Sequence, residues 1–190
     1  TELIAGICGQ THYTMMLASK ALTVTHVSTH VSMEQSIRNC KKERILEVIR
    51  LTWDALTRFQ EHPVIAVAGL NPHAGENGAF GDQELTDIAP AVQAAREEGM
   101  DVVGPLPPDT VFLRAYRGEF GAVVCMYHDQ GHIPMKLLDF EGGVNVSLGL
   151  KVVRTSVDHG TAYDIAYQGK AKTGSLVAAY DYAVKIQNRS

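Results

Sequence analysis

From Gly121 to Met126 the chain reads Gly-Ala-Val-Val-Cys-Met, and Tyr127, His128 and Asp129 follow at once. An apolar run this short, bounded by glycine and then by polar groups, is the pattern of a strand buried on both faces. A second run, Pro63 to Leu70, ends in Asn71-Pro72-His73. Stretches of helical period precede and separate the two. From Lys42 to Gln60 the apolar residues Ile45, Val48, Ile49, Leu56 and Phe59 fall on one helical face. Strands alternating with helices from Lys42 onward imply an α/β fold with a largely parallel sheet flanked by helices. Ligands of such sheets bind just beyond the carboxyl ends of the strands. The residues that follow each run are therefore the first candidates for chemistry.

Thr14–Ala18 and Leu22–Val27 form a strand pair joined at Ser19-Lys20. Ser32 and Gln35 have the spacing of a capping box and start a helix. A glycine-rich loop extends to Gly81, and Asp82–Glu98 reads as a helix capped by Gly99, with a kink or break at Pro90. Val102-Val103 is a short strand leading into a stiff loop, Gly104 to Thr110. Val144–Leu148 and Val152–Thr155 are strands split by Gly149, and helices follow around Ala162–Gln168 and Gly174–Gln187. Thr1 to Gly9 is too short to assign.

The net charge of −4 comes with no basic cluster, so nucleic acid is not an expected partner. No apolar run is long enough to span a bilayer, and no targeting segment is seen at the start. Three widely spaced cysteines, Cys8, Cys40 and Cys125, suit a reducing, cytoplasmic setting without a disulfide framework. A start at Thr1 without Met suggests a trimmed chain.

His30, His73 and His128 each lie just past an expected strand. Three imidazoles with positions left open for substrate is the pattern of a catalytic divalent metal. Spacing alone does not separate this from three ordinary loop histidines, or from a pair made of His128 and His132 on one helix face. Lys136, Asn145 and Arg154 offer an ammonium, an amide and a guanidinium suited to a small anion, or each braces the surface singly. Asp109 and Asp129 suit proton transfer, or turn and cap chemistry. The glycine-rich Gly75 to Gly81 does not follow a nucleotide-binding fingerprint.

Four segments together resemble the 4-hydroxythreonine-4-phosphate dehydrogenase family of vitamin B6 biosynthesis. They are Gly-Leu-Asn-Pro-His-Ala-Gly-Glu at Gly69–Glu76 and Gly-Pro-Leu-Pro-Pro-Asp-Thr at Gly104–Thr110. The others are Met-Tyr-His-Asp-Gln-Gly at Met126–Gly131 and Arg-Thr-Ser-Val-Asp-His-Gly-Thr-Ala at Arg154–Ala162. The resemblance implies an isocitrate/isopropylmalate dehydrogenase-like fold whose front part is missing here. It implies residues 1–150 as a metal- and substrate-binding, dimer-forming domain, and 151–190 as closing elements of a cofactor-side domain. It places the metal on His30, His73 and His128, and the substrate on Thr1, Lys136, Asn145 and Arg154. His159, Gly160, Thr161 and Asp164 resemble a cofactor loop.

The implied reaction is the NAD-dependent oxidation of the secondary alcohol of 4-phosphooxy-threonine to a β-keto acid that decarboxylates. NADP is an alternative cofactor. The metal is expected to be zinc, with magnesium, manganese or cobalt as alternatives, and Asp109 or Asp129 relays the proton. Relatives within the resemblance oxidise threonate or erythronate 4-phosphate, or cyclic dihydrodiols. A phosphate acyltransferase and an inactive metal-binding remnant are the readings from other classes. The family is a homodimer with shared sites, and His30 is the ligand expected to cross to the partner.

Overall fold

The computed structural model describes residues 2–187. Thr1, expected at the substrate, lies outside the described residues. The strands form one sheet in the order β4-β3-β5-β2-β1-β6-β7. They are β1 (Thr14–Ala18), β2 (Thr23–His26), β3 (Ile65–Ala68), β4 (Val102–Leu106), β5 (Ala122–Cys125), β6 (Val144–Leu148) and β7 (Arg154–Val157). The pairs β4·β3, β3·β5 and β5·β2 are parallel, while β2·β1, β1·β6 and β6·β7 are antiparallel. The sheet is thus mixed, with only β1 and β7 running against the common direction. The expected β1–β2 hairpin is present, and Ser19 closes it by accepting the Ala21 N–H at 3.1 Å.

The helices are α1 (Glu2–Ile7), α2 (Met33–Asn39), α3 (Lys42–Leu56), α4 (Ala89–Glu97), α5 (Val111–Tyr116), α6 (His128–Leu138) and α7 (Gly174–Gln187). One face of the sheet packs Val67 and Val124 against Ile45, Val48, Ile49 of α3 and Val92 of α4. The other packs Val24, Val123 and Cys125 against Val111 of α5 and Met135 of α6. Burial of β3 and β5 on both faces is what their uninterrupted apolar sequence requires.

Three expectations are corrected. The stretch Val102–Leu106, read as a stiff loop after Val103, is strand throughout. Its register against β3 slips between Ala66 and Ala68, a bulge that absorbs the glycine and proline. The helix expected over Ala162–Gln168 is a single 3-10 turn, Tyr163–Ile165, in an exposed loop, because its apolar side chains find nothing to pack on. The last strand starts at Arg154, since Val152 and Val153 precede the ladder with β6. The disturbance expected at Pro90 is a π turn, Glu84–Ile88, in which the Ala89 N–H reaches Glu84 O. Proline lacks the N–H that would continue the α ladder, and the turn before it widens instead.

Candidate metal and substrate site

The carboxyl ends of β2 and β5 lie side by side, with His26 opposite Cys125. Helix α6 begins directly after β5, and Gln130 anchors its first turn. Gln130 Oε1 accepts the Met126 N–H at 2.7 Å, and Nε2 donates to Gly69 O at 2.7 Å. The second bond ties the end of β5 to the end of β3. Gly131 lets the helix lie close to the sheet. A Cβ there would stand 2.6 Å from His26 Nε2 and 2.9 Å from Cys125 Sγ.

His128 Nδ1 is 2.7 Å from Asp129 Oδ1. A carboxylate only accepts, so Nδ1 carries a proton, and in the neutral ring the lone pair is on Nε2. Carboxylate–histidine pairs of this kind orient metal ligands. The ring of His30, in the β2–α2 loop, has its centroid 5.8 Å from that of His128 and is tilted by 46°. Both histidines line one surface cavity with Ser32, Ser36 and Tyr127. Behind them is a second histidine layer. His132 stacks on His128 at 3.6 Å and 11°. Its Nδ1–H donates to His128 O at 3.0 Å and lies 3.2 Å from His26 Nε2. Burial pushes His26 down to about 3, helped by His132. Burial pushes His132 down to about 4, helped by His128. Both are neutral near pH 7, as a stacked histidine cluster requires.

His73 is not part of this ring cluster among the described residues. It is exposed, with its ring 6.3 Å from that of Phe80. It lies on an unusual turn. His73, Ala74, Gly75, Glu76 and Asn77 have φ of 51°, 54°, 77°, 44° and 55°. This is a left-handed helical turn, and each residue in it other than glycine costs roughly 1–2 kcal/mol. Among the described residues, no three His, Cys, Asp or Glu side chains form a group able to hold a metal ion. One chain therefore offers two neighbouring imidazoles on one cavity, one of them oriented by a carboxylate. That donor set fits a divalent ion of the zinc type, short of a third ligand.

Sheet register places the substrate candidates. Asn145 pairs with Leu17 and Ser156, and Ser147 pairs with Met15 and Arg154. Directly paired residues share a face, so Asn145, Ser147, Arg154 and Ser156 share the face on which α6 lies. Arg154 Nη1 donates to Ser147 Oγ at 3.2 Å. Lys136, on α6, donates to Asp158 O at 3.0 Å and is 3.1 Å from Asp158 Oδ2. Among the described residues the Nδ2 of Asn145 meets only the thioether of Met15, at 3.2 Å. Its Oδ1 is buried and has no hydrogen-bond partner among the described residues, and the same holds for Ser28 Oγ, two residues before His30. Unsatisfied buried polar atoms are rare, and an absent ligand is one of the few reasons for them.

Asp129 sits on His128, whereas Asp109 is exposed on the turn after β4. Two strand spacings, about 10 Å, separate the β4 and β5 ends. His159, Gly160 and Thr161 line a separate, exposed cavity with Phe140, and Asp164 does not. Gln130, Asp158, His26 and the buried Glu84 escaped the sequence reading. Only Glu84 carried a usable signal, since it lies four residues before the inward-facing Ile88.

The family model described as pyridoxal phosphate biosynthetic protein PdxA matches residues 1–183. The chain is 49% identical to a D-threonate 4-phosphate dehydrogenase of Pectobacterium atrosepticum, over 98% of this chain and 57% of that one. It is 55% identical to a 4-hydroxythreonine-4-phosphate dehydrogenase of Geobacter metallireducens, over 98% of this chain and 55% of that one. A crystal structure of 4-hydroxythreonine-4-phosphate dehydrogenase from Klebsiella pneumoniae superposes with a TM-score of 0.87 at 49% identity, covering 97% and 57% of the two chains. A terephthalate 1,2-cis-dihydrodiol dehydrogenase from Burkholderia xenovorans superposes with a TM-score of 0.79 at 30% identity, covering 96% and 59%. The chain thus spans little more than half the length of the relatives it matches. Matched over nearly its whole length by one family model, this chain belongs to the PdxA family.

Proposed function

We propose that the chain carries the metal- and substrate-binding part of an NAD-dependent dehydrogenase that oxidises the secondary alcohol of a phosphorylated four-carbon acid. The preferred substrate is 4-phosphooxy-threonine, whose β-keto acid product loses carbon dioxide. D-Threonate 4-phosphate is the second reading, favoured by the names of relatives near half identity. The observation that carries the proposal is the His30–His128 pair lining one cavity, with the unpartnered Asn145 Oδ1 on the sheet face that carries α6. In the reaction the alcohol loses a hydride to NAD, with NADP the alternative acceptor, and a proton to the medium. A divalent ion, zinc first, supplies Lewis acidity at the alcohol oxygen when bound.

The chain's own residues do the rest. Asp129 holds the proton on His128 Nδ1, so that Nε2 faces outward as a ligand. Lys136 and Arg154 bind the anionic ends of the substrate, and Asn145 Oδ1 accepts from a substrate hydroxyl or ammonium. His159, Gly160, Thr161 and Asp164 form the adenosine-side loop for the nicotinamide cofactor, within a closing segment 151–190 distinct from residues 1–150. Asp129 or Asp109 passes on the released proton, and the engagement of Asp129 with His128 favours Asp129. The setting is cytoplasmic. Among the described residues no helix is long and apolar enough to cross a membrane.

The working unit is a homodimer with shared sites. His30 and His128 line one cavity within a chain, which supports His73 as the crossing ligand, with the His30 expected from sequence as the alternative. Full-length His73→Ala and His128→Ala proteins should each be inactive. After mixing and refolding, half the dimers are hybrids with one intact site, so activity returns to about a quarter of wild type. A mixture of His30→Ala and His128→Ala should stay dead, because both lesions spoil their own chain's site. Recovery in the second mixture but not the first would overturn the assignment.

A further inference from the structure

Five consecutive left-handed residues do not persist on their own, so something beneath them must hold the turn. The buried carboxylate of Glu84, 2% exposed, lies at its base. Oε1 accepts the N–H groups of Leu70 and Asn71, both at 2.7 Å, and Oε2 accepts from Asn71 Nδ2 at 2.8 Å. A Cβ on Gly75, at the centre of the turn, would stand 2.6 Å from Oε2. A Cβ on Gly69 would stand 2.8 Å from Ala74 Cα. Carboxylate, turn and the end of β3 are therefore in direct contact. Glu84 also opens the π turn forced by Pro90.

We propose that Glu84 is the positioning residue for His73: its carboxylate locks the left-handed turn that offers this histidine outward as a metal ligand. The inference rests on the metal reading above. A strained turn with a buried clamp and an exposed histidine suits a group aimed at something beyond its own chain. A residue needed only for packing at this place would not require a carboxylate with three donors directed at it.

The test uses the full-length protein and metal alone. Zn²⁺ affinity is measured by chelator competition, and the visible spectrum of bound Co²⁺ reports the ligand set. His73→Ala is the reference for loss of the third ligand. Glu84→Gln keeps the side-chain shape but sets an amide nitrogen against either Asn71 Nδ2 or the two backbone donors. It should weaken Zn²⁺ about 10–100-fold and move the Co²⁺ spectrum toward that of His73→Ala, while leaving the far-UV circular dichroism unchanged. Gly75→Ala, which disturbs the same contact from the other side, should do likewise, and it decides the matter if Glu84→Gln does not fold. Wild-type Zn²⁺ affinity and Co²⁺ spectrum in a folded Glu84→Gln protein, or in Gly75→Ala, would overturn the proposal. If His73→Ala itself binds Zn²⁺ like wild type, the metal reading fails, and this inference falls with it.

Discussion

On the β4-β3-β5-β2 side of the sheet, every residue of β3 and β5 is buried and helices cover both faces. On the β1-β6-β7 side, β7 is half-buried throughout, and one face carries Asn145, Ser147, Arg154 and Ser156. Helix α7 closes the other face there, yet leaves Leu176 62% and Tyr180 69% exposed. The parallel side spends its side chains on packing and sends function to the loops at its carboxyl ends. The antiparallel side keeps polar groups on the strands themselves, where packing would have placed apolar ones. Stability and binding should therefore separate along the sheet.

The largest expected effect is in the parallel half. Ile65→Ala opens a cavity at a fully buried position of β3 and should cost about 2–5 kcal/mol in urea unfolding. A cost below that of a surface substitution would break the comparison. The polar face should behave in the opposite way. Asn145→Ala removes an unsatisfied buried oxygen, so unfolding should change little, while the substrate KM of the full-length enzyme rises by an amount worth about 1–3 kcal/mol. Equal losses of stability and affinity would mean that Asn145 serves the fold.

Asp87 tests the parallel half through pH. Burial pushes its pKa up, but hydrogen bonds from the Thr86 hydroxyl, the Lys41 ammonium and the Lys42 N–H outweigh this and leave it lowered. The unfolded state then takes up its proton first as acid is added. The stabilisation is full at neutral pH and is lost as pH falls through the depressed folded value. Asp87→Asn should cost about 1–2 kcal/mol at pH 7, and the difference from wild type should shrink in acid. A constant difference across that range would contradict the ion-pair account. The smallest effect belongs to α7, where Leu176→Ser should move stability by less than about 0.5 kcal/mol. A larger loss would show that α7 is covered by something in solution.

Much of this was legible in the residues. The apolar runs gave β3 and β5, and the β1–β2 hairpin followed from its turn. The capping box at Ser32 was half right. Ser32 Oγ accepts the Gln35 N–H at 3.1 Å, but the Gln35 side chain turns instead to Asn39. Helix α6 was hidden because Gly131 and Pro134 spoil its pattern, and a helix is restored there by contact with β2 and β5. The histidines could be placed at strand ends, but not grouped. Strand β5 lies between β3 and β2, so order alone permits all three to meet. His73 joins no ligand group among the described residues, and it sits on a left-handed turn over residues 73–77 that follows the Asn71 N–H held by the Glu84 carboxylate. Nothing in local propensity announces it.

The Gln130 side chain spans two strand ends by accepting at one terminus and donating at the other. That polarity leaves the position almost no synonyms. Glutamate would set oxygen against the Gly69 carbonyl, asparagine is one methylene short, and no other side chain of that reach carries both functions. A deamidated molecule would differ from a fresh one by an oxygen in place of one NH2 group, yet it would lose the strap between the loops bearing His73 and His128. Chemical ageing at this one amide would leave the sheet standing while its two histidine loops came out of register.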